Sequence, residues 1–469
     1  MTHALVLGGG MAGMLAAVAL AETVPSITII DSDYFPRGPE PRKGLPQGHH
    51  NHMFMRGGVE ALEQLLPGIT AELLAAGAKR RALPSGNLTR SGEGWFRRHP
   101  SDAYALLCSR ALTDHLVRSR VLADPRITVV EGTSVVGLSG GTARISGAHV
   151  QGPDGEKYRI AADLVIDATG RRSRAPEWLA ILGAPAVPEE VVDGGFAYAS
   201  RFYEAPEGVR DDFPGVLLQA EAGTGEAGRG AALLPNEGRR WIVTLFGTRG
   251  AVPPTDEEGF LEFIRTSRSP VIHQLISQAR PLTEIRPFRG MANRRRYFEK
   301  ASVPFGFVAI GDSATAVNPN YGTGMSVAAI SALFFREELR RAGALTPVLS
   351  RKVQPGIAKA GNGAWQAAIA TDHFFPDVRS TVKRRPSPTQ LRMSARIAKV
   401  AAEDGRLASA VFNVAALAAP VSRIFALPNL LAILRGPRLP ELTGEQAIAQ
   451  FPEFGDLLTV EPSVSAEPR

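Results

Sequence analysis

Residues 4-ALVL-7, 8-GGGMAG-13, 14-MLAAVALAE-22 and 26-SITIID-31 follow one another as apolar strand, glycine turn, helix and second strand ending in an acid. That order predicts a βαβ unit, whose right-handed crossover commits the chain to an α/β fold with a parallel sheet. Gly8, Gly10 and Gly13 stand in GxGxxG spacing, with Asp31 at the end of the second strand. The first glycine suits a tight turn, the second the close approach of a dinucleotide pyrophosphate, the third helix–strand packing; the acid suits a ribose hydroxyl. Met11 and Ala12 complete the turn and Ser32 follows the acid, so Gly8, Gly10, Met11, Ala12, Gly13, Asp31 and Ser32 form a first candidate site. The unit alone does not distinguish NAD from FAD.

Two later segments bear on that choice. In 161-AADLVIDATGRRS-173 an apolar strand runs into Asp167 and a small-residue turn, and in 306-GFVAIGDSATAVNPNYGTGMS-326 the strand Phe307–Ile310 ends the same way. A dinucleotide lying across a doubly wound sheet meets several strand ends, so distant stretches of one chain can touch it. Asp312 beside Gly311 is placed to accept from the ribityl chain of FAD. The loop from Pro319 through Gly322, Thr323 and Gly324 would carry the flavin over a helix starting near Met325, with free backbone N–H groups and the helix dipole facing the ring's pyrimidine edge.

Between these segments, 196-FAYASRFYEA-205, 230-GAALLPNEG-238 and 241-WIVTLFGT-248 are strand-like, while 256-DEEGFLEFIRT-266 and 270-PVIHQLISQA-279 are amphipathic helices. The expected fold is α/β: a Rossmann-like FAD-binding domain interleaved with an antiparallel-sheet substrate domain and a C-terminal helical segment. The boundaries are 1–190 for the first part of the FAD domain, 191–300 for the sheet domain, 301–370 for the return, 371–460 for the helical region and 461–469 for a disordered tail. Phe196, Tyr198 and Phe202 of the sheet, with Asn320 and Tyr321 beside the flavin loop, are candidates for a substrate pocket; ordinary sheet packing is their alternative.

Composition narrows the classes. The single cysteine, Cys108, excludes an intramolecular disulfide framework and a thiolate-rich metal site, and suits a reducing cytoplasm. Glycines cut short the apolar run 4-ALVLGGG-10 and no basic region precedes it, which argues for a buried strand and against a signal peptide. The net charge of +7 comes without a basic stripe interleaved with aromatics, so no nucleic-acid partner is expected. Basic 378-VRSTVKRRPSPTQ-390 is expected to be an exposed connection, followed by a helix near 391–404. Apolar 407-LASAVFNVAALAAPVSRIFALPNLLAILRG-436 is interrupted by Pro420, Arg423 and Pro428, so no span is expected; helices over the substrate cavity are the first reading and peripheral membrane contact the second.

With GGGMAG, DATGRRS and GDSATAVNPNYGTGMS in this order, residues 1–370 resemble FAD-dependent single-component monooxygenases of the p-hydroxybenzoate hydroxylase and squalene epoxidase type. The middle motif departs from the Asp-Gly usual there. A narrower resemblance, to bacterial epoxidases of polyether polyketide pathways, rests on 42-RKGLPQGHHNHMF-54, 107-LCSRALTDHL-116, 194-GGFAYASRFYEAP-206 and 240-RWIVTLFGTRG-250. It implies that Arg42, Lys43, Gln47 and His50 border FAD and that Arg110 approaches its phosphates. It further implies NADPH or NADH as reductant, O2 activated at flavin C4a, and oxygen transfer to a double bond of a hydrophobic, carrier-bound or free polyketide. No protein base is then required, and no catalytic side chain is nominated.

Five alternatives compete. His49, His50 and His52 could suggest zinc, but three histidines within four residues of a loop seldom converge and no acid or cysteine completes a tetrahedron, so no metal is expected. A halogenase on the same scaffold typically carries Trp-x-Trp-x-Ile-Pro, whereas Trp95, Trp178, Trp241 and Trp365 are isolated. An aromatic hydroxylase or an isoprenoid double-bond reductase would share the flavin loops. A non-catalytic dinucleotide sensor would need only the first βαβ unit.

Overall fold

The computed structural model describes residues 2–346, 349–383 and 385–458. The tail 461–469 lies outside the described residues, as does Arg384 of the basic connection. Five parallel strands form the first sheet in the order Phe307–Ala309, Leu164–Asp167, His3–Leu7, Ser26–Ile30, Ile127–Val130. Its central strand reads as an unbroken apolar run because both faces are covered. Ala4 and Val6 pack toward the helices Met11–Ala21 and Gly324–Ala342, whereas Leu5 and Leu7 pack toward Trp178 and Phe298 on the other side. The Gly324–Ala342 helix buries Ala328, Ala329, Ala332 and Phe335 against that sheet, and its small residues let two helix backbones share one layer. The strand ends carrying Asp167 and Gly311 therefore emerge at one edge, beside the turn that follows Leu7.

The second sheet has eight strands. Ala197–Glu204, Arg240–Gly247, Arg229–Asn236 and Gly215–Leu218 run antiparallel at its centre. Asn87–Ser91 and Gly94–Trp95, far upstream of the expected sheet segment, extend one edge, with Asn87–Ser91 parallel to Gly215–Leu218. Period-two alternation decides what each face meets. Ala199 and Tyr203 pack against the helices Glu257–Arg265 and Val271–Ile276, while Tyr198, Ser200 and Phe202 occupy the opposite face, toward the FAD-binding half. Asp256 caps the first of those helices by accepting from the Gly259 amide at 2.7 Å. The second is shorter than the sequence suggested, ending at Ile276.

A four-stranded antiparallel sheet, Thr315–Ala316, Asn293–Arg296, Glu189–Asp193 and Arg379–Ser380, ties the halves together. The basic connection expected to be exposed thus contributes an edge strand. The helices Pro388–Glu403, Gly405–Ala415 and Leu427–Arg435 gather on Phe96 around a small core of their own. Of this apolar region, Phe412 and Ala416 reach the cluster containing Met53, Met55 and Phe202; the Leu427–Arg435 helix packs elsewhere and turns four leucines to water. Exposure forgoes roughly 1 kcal/mol or more for each of the two most exposed, Leu427 and Leu434. No helix among the described residues is long and apolar enough to cross a membrane.

Candidate active site

At the first turn, crowding explains two glycines. Gly8 has φ +99°, and a Cβ on Gly13 would stand 1.8 Å from the Gly8 carbonyl oxygen. Gly10, by contrast, would meet nothing within 4 Å, and as the residue before Met11–Ala21 it offers no side-chain cap to that helix. Open space over an uncapped helix N-terminus is where a pyrophosphate is held by backbone N–H groups. Asp31 is buried: its Oδ2 accepts from the Gly9 amide at 2.7 Å and from Arg42 Nη2 at 3.3 Å, and its Oδ1 accepts from the Asp33 amide at 2.8 Å. Arg42 also donates to the Gly9 carbonyl at 3.1 Å and lies 4.6 Å over the Phe35 ring. Lys43 and Ser32 are exposed, Met11 is buried under the turn, and Ala12 and Gln47 are half-buried.

Asp167 is wholly buried and its partners are internal. Thr169 donates from its amide (3.0 Å) and hydroxyl (2.6 Å), Ser173 Oγ at 2.5 Å and Ser313 Oγ at 3.2 Å. The expectation that Asp167 touches the cofactor is thereby corrected. Four donors saturate a carboxylate with no surface to offer a ligand, and its role is to fasten the 167–173 turn to the Gly311–Ser313 turn.

Asp312 is placed differently. Its side chain is 39% exposed yet sits low in a cleft, 4.0 Å from Arg171 Nη2. Desolvation there pushes its carboxyl up, with Arg171, Arg110 and Arg296 pulling it down. Gly311, φ +61°, lies against Ala12, so this turn abuts the first one. Asp312 Oδ1 is 3.9 Å from where a Cβ on Gly324 would stand, at the start of the Gly324–Ala342 helix, whose N-cap Thr323 makes no capping bond and keeps a buried hydroxyl without a partner among the described residues. Pro319–Tyr321 forms one helical turn closed by Gly322 at φ +63°. A Cβ there would press on the methyls of Met53 and Met55 at 3.0 and 3.2 Å. Met325 is buried beneath the loop. Arg110 begins the helix Arg110–Leu122, is held by Asp114 at 2.7 Å, and lies beside Gly48.

Behind the flavin loop lies a network the sequence did not disclose. Tyr321 Oη and Asn293 Nδ2 each donate to buried Asp372 at 2.5 Å. The Asn318 amide donates to Asn293 Oδ1 at 2.6 Å, and Asn318 Oδ1 accepts from Tyr198 Oη at 3.4 Å. Burial lifts Asp372 to about 6 although these donors oppose it. A signal existed: Trp365, Ala368, Ile369 and Asp372 fall at i, i+3, i+4 and i+7, so the acid lies on the buried stripe of its helix.

The histidine loop faces the second sheet. His50 Nδ1 lies 2.7 Å from Ser200 Oγ, which lies 2.7 Å from Thr244 Oγ1, which accepts from the Asn51 amide at 3.2 Å. Because Thr244 Oγ1 accepts from the amide, its hydroxyl is free to donate to Ser200 and Ser200 to His50 Nδ1, the assignment that places the ring proton on Nε2. That Nε2 is buried without a partner among the described residues. Burial and the neighbouring His52 and His49 depress His50 to about 3, so it is neutral. Tyr198 and Phe288 flank its ring, so His50 faces the aromatic side of the site. Phe202 joins the Met53 cluster, Phe196 packs instead on Phe375, and Asn320 is half-buried on the loop. No group of metal-ligating side chains is found among the described residues.

The residues present fit FAD: an open Gly10, an uncapped Thr323 with a hydroxyl unpartnered among the described residues, and the Asp312 carboxylate lie along one sheet edge. Residues 4–172 match the family described as FAD dependent oxidoreductase. Protein Rv3254 of Mycobacterium tuberculosis (strain ATCC 25618 / H37Rv) is 28% identical over 389 residues, 80% of this chain and 80% of that one. The structure of flavin-dependent brominase Bmp2 superposes with a TM-score of 0.65 at 15% identity, covering 88% of this chain and 94% of that chain. The p-nitrophenol 4-monooxygenase PnpA of Pseudomonas putida DLL-E4 gives 0.59 at 16% identity, covering 94% and 100%. At such identities the two structures speak for fold alone. The match over residues 4–172 and the shared fold make the chain similar to FAD-dependent oxidoreductases.

Proposed function

We propose that the chain is an FAD-dependent monooxygenase that epoxidises carbon–carbon double bonds of a hydrophobic polyketide, with NADPH or NADH as reductant. Bound FAD supplies the acceptance of two electrons from the nicotinamide and the activation of O2. The reaction balances as alkene, O2, NAD(P)H and a proton giving epoxide, NAD(P)+ and water.

The chain's own residues bind, orient and keep water out. Backbone at Gly8–Gly13 and Arg110 would hold the phosphates, Asp312 the ribityl hydroxyls, and the Thr323–Met325 helix start the negative edge of the reduced ring. Met53, Met55, Tyr198, Phe202 and Tyr321 supply apolar walls for the alkene. The observation that carries the proposal is that the polar groups beside these walls are buried and already bonded within the protein. His50 is neutral, burial raises the Tyr198 and Tyr321 hydroxyls, and both Asp372 oxygens are engaged. None is poised to deprotonate a phenol, and an alkene needs no base.

Aromatic hydroxylation is the second reading, favoured by His50 Nε2, which is buried without a partner among the described residues and could donate to a substrate hydroxyl. Turnover with labelled O2 decides. One labelled atom in an epoxide or its diol from a polyene supports epoxidation; products from phenols alone support the second reading.

A further inference from the structure

The Leu427–Arg435 helix is oriented against its own sequence pattern. Leu427, Leu430, Leu431 and Leu434 recur at i, i+3, i+4 and i+7, the spacing of a core-facing stripe. Here that stripe faces water, the four side chains being 69%, 37%, 42% and 65% exposed. The buried side carries Ile433 and a polar residue, Asn429, whose amide donates to the Arg423 carbonyl at 2.9 Å. Arg396 ties the helix end down from the Pro388–Glu403 helix, donating to the Ile433 carbonyl at 2.5 Å and the Leu434 carbonyl at 2.6 Å. Val421 and Phe425 of the preceding turn are exposed as well. The leucines project into solvent.

Charge follows the same surface. Residues 378–440 hold eleven Lys and Arg against two acids, Glu403 and Asp404, a surplus larger than the +7 of the whole chain. The basic charge is therefore concentrated in this part of the sequence. From Gly405 to Pro440 there is no acid at all. Arg423, Arg435 and Arg438 flank the leucines, are exposed, and form no ion pair among the described residues. Two copies of this face would set like charges together, which disfavours self-association through it.

We propose that this face docks on a membrane surface bearing anionic phospholipids, with the leucines entering the headgroup boundary and the arginines meeting phosphates. The inference stands apart from the reaction assigned above. It would place the chain where a long apolar substrate is dissolved.

The test is co-sedimentation of the full chain with vesicles of phosphatidylcholine alone and of phosphatidylcholine with phosphatidylglycerol. Binding to the anionic vesicles that falls with salt is expected, with little to the neutral ones. Leu427→Ser combined with Leu434→Ser should weaken it at least about tenfold, with Tm little changed because these two side chains are mostly exposed. Arg423→Ser or Arg438→Ser should each weaken it roughly fivefold. Absence of binding to anionic vesicles overturns the proposal, as does binding indifferent to the leucine substitutions. So does a dimer, or a complex with an acidic protein, that depends on these leucines while vesicles are not bound.

Discussion

At the Gly8–Gly13 turn the partner acid is shut in: Asp31 is buried and engaged by the Gly9 and Asp33 amides and by Arg42, itself stacked on Phe35. At the Gly311–Gly324 turn the corresponding acid is left open: Asp312 keeps 39% of its side-chain surface and stands 4.0 Å from its nearest cation. Both turns join a parallel strand to a helix through glycines, and both present uncapped backbone. The contrast separates two demands on one elongated cofactor. Its adenosine end needs only retention, which a rigid, side-chain-locked cradle provides. Its flavin end, in the function proposed above, would have to stay accessible to reductant, oxygen and substrate, which a closed ion pair would prevent. Asp167, buried between the turns, holds the two ends in register.

The severest way to break the comparison is at the locked end. Gly13→Val would drive a side chain into the Gly8 carbonyl, 1.8 Å from the new Cβ, and should abolish soluble, flavin-bearing protein. Arg42→Ala comes next, because it leaves Asp31 buried without its cation; about 3 kcal/mol of stability should be lost on thermal melting, with FAD affinity less affected. Asp312→Ala should do the reverse. It removes charge-assisted bonds to a ribityl hydroxyl, costing about 1.5–3 kcal/mol of binding, a tenfold or greater loss of FAD affinity in a titration, with Tm nearly unchanged.

A smaller effect sharpens the open end from behind. Asp372, at about 6 in the folded chain against an ordinary 3.8, binds its proton more tightly when folded. Its contribution is therefore present at low pH and is lost as pH rises from about 4 to about 6, after which it is constant. That loss is at most about 3 kcal/mol. Asp372→Asn should flatten this portion of the Tm-against-pH profile; an unaltered slope would show that another group produces it.

The locked end was legible in the sequence because every requirement there is local. Glycine spacing, strand, helix and acid all fall within 31 residues, and each has one steric meaning. The Asp312 turn was legible for the same reason. What escaped depends on strands far apart in sequence. Ser200 and Thr244 meet His50 only because Ala197–Glu204 pairs with Arg240–Gly247 in a register that aligns them. Arg42 was expected at the cofactor, but its pairing with Asp31 depends on how the 42–52 loop folds back. Asp372 became visible only when its helix was seen to bury the stripe containing Trp365. The outward leucines of 427–434 violate the ordinary expectation for such a stripe, so periodicity alone suggested cover for a cavity.

The most direct test of the two-ended account is titration of flavin-free protein with FAD and, separately, with FMN, which has the ring and ribityl chain but lacks the adenosine end. The account predicts noncovalent FAD binding and FMN binding weaker by roughly a hundredfold, the equivalent of losing about two charge-assisted contacts at the locked end. FMN binding as tightly as FAD, or no flavin binding at all, would contradict it.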